Sequence, residues 1–403
     1  MSRHITFLSI PSHGHVIPTV GVVRELVQRG HMVTYVVPED LAHLPREAGA
    51  EVITYDSPTG TNPPELPYTP DVLHRLTERA FAEGAAVMRA LVPALDHRRP
   101  DVLVYDLMQY AAGRVAAHRW GLPAVQMFPI FASNAQVNPV QLFAEAAEGT
   151  TAGYDAAAPA GDIMGLIRDG VTALGGADVP AWQLLARIEP LNLAFFPKDF
   201  QIGHETFDDR YAFVGPCHRV RPAETGAWSP PADPAGPIVL ISLGTTYDRH
   251  PDFFRACVEA FRDAPLHVVM TVGRLDRAEL GPLPPNVEVH PWIAHPDVLA
   301  HAGVFLFQGG MTSIMESLAA GVPMVMVPHA GEARINVRRA VELGLGRRLD
   351  PGEVTAAALR DTVTEVAGDA AMRRAVAAMG AKVRSAGGAA RAADELERFL
   401  DKS

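Results

Sequence analysis

The sequence has little cysteine and lacks long uninterrupted apolar runs. Its 403 residues include only Cys217 and Cys257, which show neither a metal-ligand spacing nor a disulfide framework. This scarcity predicts a reducing compartment, and we expect the cytoplasm. The apolar run near the N-terminus, residues 5–10, is too short for the core of a signal peptide. Since no run reaches about 18 apolar residues, we expect no membrane span.

Basic residues are scarce relative to acidic ones. Lysine and arginine number 35 against 46 aspartates and glutamates, which gives a net charge of −11. This surplus of acid argues against nucleic acid or an anionic membrane as the main partner. A content of 48 % hydrophobic and 20 % charged residues is typical of a globular α/β protein rather than a disordered one. The length exceeds one ordinary core, so we expect two domains of about 200 residues each.

Short apolar segments alternate with amphipathic segments in both halves of the chain. Those of the first half lie at 5–10, 32–37, 51–55, 101–106 and 123–128, and those of the second half at 237–244, 266–273, 287–292, 304–308 and 324–328. Strands that alternate with helices predict doubly wound parallel sheets. The sequence therefore predicts an α/β protein with two Rossmann-like domains that face each other across a cleft.

A segment without periodicity separates the two halves. Residues 216–236 are rich in proline, glycine and alanine, a composition typical of an interdomain linker. This predicts a first domain over 1–215 and a second over 237–385. Residues 56–70 and 129–186 fit no regular period, and we expect these irregular insertions to form walls of a binding site.

Polar residues stand at the ends of the first and fourth predicted strands, at His13 and Asp106. In a sheet of order 3-2-1-4 these strand ends are neighbours, at the edge where ligands bind. An aspartate that orients a histidine leaves the other ring nitrogen able to take a proton from a hydroxyl. The alternative is that His13 is a loop residue and Asp106 caps a helix that begins near Leu107. We expect His15 to be structural, because the helical pattern begins directly after it.

The second half repeats this arrangement, with “SLGTT” after its first strand and “QGGMTS” at the end of its fourth. We expect these two loops to be adjacent. Gly309 and Gly310 would let the backbone approach a ligand closely, and the next helix would present its N-terminal N–H groups to an anion. Thr312 and Ser313 add hydroxyl donors. The alternative is an ordinary tight turn with no ligand.

Two further side chains fit a nucleotide diphosphate at this place. Glu316 lies one helical turn after Ser313, where a carboxylate suits sugar hydroxyls. Trp292 ends the third predicted strand and could stack on a base. The alternatives are a solvated charge for Glu316 and a core position for Trp292.

Four long segments resemble family-1 glycosyltransferases of the GT-B fold, in particular bacterial macrolide and natural-product glycosyltransferases. They are “FLSIPSHGHVIPTVGVVRELVQRGHMVTYVVPE”, “ISLGTTY”, “LPPNVEVHPWIAHPDVL” and “GGMTSIMESLAAGVPMVMVPHAGEARINV”. The resemblance implies transfer of a sugar from a UDP or TDP donor to a hydroxyl of a hydrophobic small molecule. It implies inversion at the sugar, no metal and no further cofactor. It also implies that a C-terminal helix within 386–403 returns to the first domain.

The resemblance assigns roles to individual residues. His13 matches the family's catalytic base and Asp106 its orienting carboxylate, while Trp292 matches the base-stacking residue and Glu316 the ribose-binding one. Gly310 and Ser313 match phosphate contacts. The predicted donor-site residues are Gly244, Thr245, Trp292, His295, Gln308, Gly310, Thr312, Ser313, Glu316 and Glu332.

The donor side departs from the family pattern at three places. Gln308 replaces a histidine, His295 replaces the glutamine of a Trp-x-Pro-Gln motif, and Glu332 with Ala333 replaces an Asp-Gln pair. We expect weakened or reshaped donor binding rather than its loss. A glutamine amide can still donate to a diphosphate but carries no charge. Ala333 offers no hydrogen bond to the hydroxyls of a hexose. A deoxysugar has fewer hydroxyls and would need that hydrogen bond less.

Two other functions are compatible with the same residues. One is a hydrolase, lyase or cyclase of a natural-product pathway that keeps the histidine–aspartate pair and no longer uses a nucleotide sugar. The other is a non-catalytic carrier, against which the retention of both residues argues.

Overall fold

The computed structural model describes residues 2–60, 70–138, 142, 163–180, 187–218, 228–244, 249–329 and 331–402. Thr245 lies outside these ranges, as do parts of the predicted linker and of the two predicted irregular insertions. The chain divides into two compact units, Met1–His218 with Ala386–Ser403, and Arg219–Ser385.

The first unit is built on a seven-stranded parallel sheet. Its strands are β1 (His4–Leu8), β2 (Met32–Pro38), β3 (Glu51–Tyr55), β4 (Val102–Asp106), β5 (Ala124–Phe128), β6 (Leu191–Ala194) and β7 (Tyr211–Phe213). Their order is β3-β2-β1-β4-β5-β6-β7, so the predicted order 3-2-1-4 is confirmed. The helices are α1 (His13–Gln28), α2 (His43–Glu47), α3 (Pro70–Leu95), α4 (Tyr110–Trp120) and α5 (Ile163–Ala173).

The second unit contains a six-stranded parallel sheet. Its strands are β8 (Ile238–Ser242), β9 (His267–Thr271), β10 (Val287–His290), β11 (Ala302–Phe307), β12 (Met324–Met326) and β13 (Gly346–Arg348), in the order β10-β9-β8-β11-β12-β13. The helices are α6 (Pro251–Phe261), α7 (His295–Leu299), α8 (Met311–Ala320), α9 (Gly331–Glu342), α10 (Ala356–Gly368) and α11 (Ala370–Ser385). Two parallel α/β units confirm the predicted fold class.

Both faces of the first sheet are covered, which explains why its strands are mainly apolar. Along β4, Val102 and Val104 belong to the core on one face, while Leu103 and Tyr105 belong to the core on the other. Successive strand residues point to opposite faces, so a strand buried on both sides has no polar alternation. No helix in the described part of the chain is long and apolar enough to cross a lipid bilayer.

The last helix, α12 (Gly388–Leu400), belongs to the first unit although it follows the second unit in the sequence. Its apolar face, which includes Leu396, lies in the same core as β1 and α1. The guanidinium of Arg29, the C-cap residue of α1, donates to Asp394 at 2.6 Å and to Glu397 at 2.7 Å. The ring of His31 also lies 2.9 Å from Glu397. This charged cluster fixes the end of the chain to the first helix.

Candidate active site

The first group of polar residues lies at the carboxyl ends of β1 and β4. These strands pair in parallel with Leu8 opposite Tyr105, so the residues that follow Leu8 lie beside Asp106. Helix α1 begins at His13, with Ser12 as its N-cap residue. The prediction that the helix begins after His15 is therefore wrong, and both histidines belong to its first turn.

Asp106 contacts His15 rather than His13. Its Oδ2 lies 2.7 Å from Nδ1 of His15, and both side chains are buried. The prediction that Asp106 orients His13 is therefore wrong. Residues two apart on a helix differ in direction by about 200°, so only one of the two histidines can face β4. Burial, and then the nearby charge of His43, lower the pKa of the half-buried His13.

The other oxygen of Asp106 has a structural partner. Its Oδ1 accepts a hydrogen bond of 2.8 Å from the backbone N–H of Met108 and caps the short 3₁₀ turn Leu107–Gln109. The capping role weighed as an alternative thus coexists with the contact to a histidine. An ionised carboxylate only accepts hydrogen bonds, so Nδ1 of His15 donates in this contact, and in the neutral ring the lone pair then lies on Nε2.

A second contact holds the same face of α1 against the sheet. Thr19 lies one helical turn after His15, and its hydroxyl is 2.8 Å from the hydroxyl of the fully buried Tyr35 on β2. Residues four apart share a helix face, so this bond helps to hold the His15 face against the sheet. Burial raises the pKa of Tyr35, which keeps the phenol neutral.

In the second unit the described part of the first predicted loop, residues 242–244, lies beside the start of the second loop, as expected. Strands β8 and β11 pair with Ser242 opposite Phe307, so the residues after each strand lie side by side. Gly244 has a φ of +73°, and a Cβ there would lie 3.0 Å from Nε2 of Gln308. Only glycine allows this backbone conformation together with such a close side chain.

The two glycines at the start of α8 differ in their surroundings. Gly309 has a φ of +93°, and a Cβ there would lie 2.3 Å from Cγ2 of Val337 on α9. Its carbonyl also accepts a hydrogen bond of 3.1 Å from Asn336. Gly310, the N-cap residue of α8, has open space where a Cβ would be. Gly309 is therefore required for packing, while Gly310 is the glycine that leaves room for a ligand.

Trp292 and Glu316 have opposite environments. Trp292 is 70 % exposed, so the alternative of a core position is wrong and the ring is accessible for stacking. Glu316 is buried on α8, and its Oε2 lies 3.1 Å from Nδ1 of His295 at the start of α7. The sequence did not indicate this contact, which places the His295 ring beside the predicted ribose-binding carboxylate.

The remaining predicted donor-site residues line the starts of two helices. Thr312 and Ser313 are half-buried in the first turn of α8. Glu332 is half-buried in the first turn of α9, with Oε1 3.5 Å from Nδ2 of Asn336. Ala333 is buried, and its carbonyl oxygen would lie 3.4 Å from a Cβ placed on Gly309.

One signal in the sequence could have identified His15. Serine is a preferred N-cap residue, so Ser12 predicts a helix that begins at His13 and turns His15 in another direction from His13. No local signal predicts the contact between His295 and Glu316, because these residues are 21 positions apart.

Comparison with known proteins gives consistent matches. Residues 257–398 match the family of the erythromycin biosynthesis protein CIII-like C-terminal domain. The demethyllactenocin mycarosyltransferase of Streptomyces fradiae is 38 % identical over 98 % of this chain and 86 % of its own length. The NDP-glycosyltransferase YjiC of Bacillus licheniformis is 34 % identical over 99 % of this chain and 98 % of its own. Among solved structures, the calicheamicin glycosyltransferase CalG4 is 41 % identical, with a TM-score of 0.86 over 100 % of this chain and 99 % of its own.

Proposed function

Since this chain belongs to the family-1 natural-product glycosyltransferases of the GT-B fold, which transfer a sugar from an NDP-sugar, we propose that it is an inverting O-glycosyltransferase. Its acceptor is a hydroxyl of a hydrophobic natural product, and its general base is His15, held by Asp106. The observation that carries the assignment of the base is the 2.7 Å contact between these two side chains.

The histidine takes up the proton that the acceptor loses. Nε2 of His15 accepts the hydroxyl proton as the oxygen attacks the anomeric carbon from the face opposite the diphosphate. The new carbon–oxygen bond forms while the bond to the leaving phosphate oxygen breaks, which inverts the anomeric centre. The buried carboxylate of Asp106 stabilises the imidazolium that results. General base catalysis of this kind contributes about 10²–10⁴ to the rate.

The second unit binds the nucleotide sugar. The N-terminus of α8 at Gly310 offers unpaired N–H groups to the diphosphate, with the hydroxyls of Thr312 and Ser313 beside it. The Gln308 amide adds a neutral donor in place of a charged one. These groups stabilise the negative charge of the leaving UDP or TDP.

Two side chains recognise the nucleoside. The exposed Trp292 ring stacks on the base, and Glu316 accepts hydrogen bonds from the ribose, with its orientation set by His295. We assign a deoxysugar to the donor because Ala333 has no side-chain group that could bind a sugar hydroxyl. Glu332 supplies a carboxylate for the hydroxyls that remain.

The first experiment measures the melting temperature with UDP, TDP and a panel of their sugar conjugates. Binding of one diphosphate and its sugar conjugate is expected. If none binds while a glycoside or polyketide does, transfer from a nucleotide sugar is excluded and a hydrolase, lyase or cyclase becomes the better assignment.

The second experiment compares His15→Gln with His13→Gln, which serves as a matched control from the same helical turn. Sugar transfer to hydroxylated macrolides and polyphenols is measured with a saturating nucleotide sugar. We expect kcat to fall by about 10²–10⁴ in His15→Gln and by less than about tenfold in His13→Gln, where the loss of a general base is not involved. The reverse order of losses would assign the base to His13.

A further inference from the structure

The first turn of α1, residues 13–16, carries the proposed base but is only partly fixed by its own helix. Pro18 lies inside α1, and a proline has no backbone N–H to donate to the carbonyl of Gly14, four residues earlier. The proline ring also crowds that carbonyl, which is how proline kinks a helix. His15 therefore lies in a turn that is joined to the rest of α1 by fewer hydrogen bonds than usual. Contacts from outside the turn must set its position.

A chain of two hydrogen bonds reaches this turn from β2. Oγ1 of Thr19 donates to the carbonyl oxygen of Val16 at 2.7 Å. A threonine hydroxyl has a single proton, so Tyr35 is the donor in the 2.8 Å contact between the hydroxyls of Tyr35 and Thr19. All three residues are fully buried, so water does not compete for these bonds. Val16 follows His15 directly, and the phenol of Tyr35 thus acts on the backbone next to the proposed base.

The ring of Tyr35 is held independently of its hydroxyl. Tyr35 and Phe7 are register partners on β2 and β1, and their rings stack with 5.7 Å between the centroids and 2° between the planes. A phenylalanine would make the same stacking contact, because it differs from tyrosine only by the hydroxyl. Burial of a hydroxyl lowers stability unless the hydroxyl is hydrogen-bonded. The hydroxyl of Tyr35 is therefore not needed to fill the core, and its role lies in the contact with Thr19.

We propose that Tyr35 is a positioning residue for sugar transfer, which acts through Thr19 to hold the first turn of α1 in the place where Nε2 of His15 reaches the acceptor hydroxyl. This inference rests on the proposed function and adds a residue to it. Asp106 holds the ring of His15 at 2.7 Å, while Tyr35 holds the backbone of the same turn. One contact sets the direction of the imidazole and the other sets the position of the turn that carries it. A displacement of about 1 Å at a reacting group can cost about 10²-fold in rate.

The first test measures kcat and both KM values for variants of the two hydroxyl residues. In Tyr35→Phe and in Thr19→Val we expect kcat to fall at least about fivefold, the factor that corresponds to one hydrogen bond between neutral groups. The KM for the nucleotide sugar should stay unchanged, because the second unit binds it. Thr19→Ser keeps the hydroxyl and should keep the native kcat. A kcat of Tyr35→Phe within about twofold of the native value would overturn the proposal.

The double variant separates positioning from a general loss of stability. If Tyr35 acts through Thr19, then Tyr35→Phe should lower kcat no further once Thr19→Val is present, because both changes interrupt the same chain of bonds. The matched control is Thr364→Val on α10 of the second unit, which removes a hydroxyl that donates to the carbonyl of Arg360 at 2.8 Å. The control should keep the native kcat. Losses that multiply in the double variant, or an equal loss in the control, would contradict the proposal.

Amide hydrogen exchange of the first turn, followed by mass spectrometry, needs neither donor nor acceptor. The N–H groups of His15 and Val16 donate to the carbonyl of Ser12 at 3.1 and 3.0 Å. Their exchange should become at least about fivefold faster in Tyr35→Phe and should match the native rate in Thr19→Ser.

The two readouts distinguish this inference from the proposed function. An unchanged exchange rate in Tyr35→Phe would overturn the inference whether or not sugar transfer is observed. Faster exchange with an unchanged kcat would also overturn it, since Tyr35 would then have a structural role only, and would leave the proposed function intact. Absence of transfer by the unmodified protein would refute the proposed function and, with it, the catalytic part of this inference.

Discussion

Substitution of Asp106 by asparagine isolates the role of one carboxylate. In the native protein its two oxygens accept from His15 Nδ1 at 2.7 Å and from the Met108 N–H at 2.8 Å. Asparagine has one oxygen and one NH₂ group, so it cannot accept both bonds. The arrangement that keeps two bonds places the oxygen toward Met108 and the NH₂ group toward His15. Nδ1 must then be the acceptor, and the ring proton moves to Nε2.

That exchange of tautomers removes the proton acceptor from the active nitrogen. Loss of a general base lowers kcat by about 10²–10⁴, and the corresponding change in a serine-protease triad lowers it by about 10⁴. Stability should change little, because both hydrogen bonds are kept. The opposite orientation would place two buried donors against each other, at a cost of about 1–3 kcal/mol, so the first arrangement is favoured.

The assay is steady-state sugar transfer at saturating nucleotide sugar, together with urea unfolding of each protein. The control is Asp369→Asn in the second unit, whose carboxylate caps a helix through the Met372 N–H at 2.9 Å without a histidine contact. The control should keep its kcat. Loss of a general base should lower kcat far more than about threefold. If Asp106→Asn keeps kcat within about threefold of the native value, Asp106 does not hold the base.

Two further predictions concern the second unit and the pH dependence of stability. Gly309→Ala should destabilise the protein by about 1–3 kcal/mol, because Gly309 has a positive φ and a Cβ there would collide with Val337. Gly310→Ala should keep the stability and weaken diphosphate binding, as urea unfolding and calorimetry with UDP and TDP would measure. An equal loss of stability in the two variants would contradict the different roles given to these glycines. Burial, then the charge of His250, lower the pKa of His329 below 6.5, so below that pH the unfolded chain binds more protons and stability falls as pH decreases. Between about pH 7.5 and about pH 5.5, His329→Gln should lose less stability than the native protein, as urea unfolding across that range would measure; an equal loss in both proteins would contradict this prediction.

The sequence by itself determined the two parallel α/β sheets. Continuous apolar runs such as residues 101–106 have no polar alternation, which marks a strand covered on both faces, and their alternation with helices leaves few topologies. The strands it did not identify, β6, β7 and β13, have only three or four residues each. Segments so short carry too few positions to show a period.

The positions of the two loops at the β8 and β11 ends also followed from the sequence, because parallel strands bring their carboxyl ends to one edge. Which histidine meets Asp106 depends on the exact start of α1, which Ser12 marks, and on the rotation of that helix against the sheet, which only the tertiary structure gives. The pairing of His295 with Glu316 depends likewise on tertiary structure. It joins side chains from two different helices, and the direction in which each helix is turned depends on packing that no local pattern records.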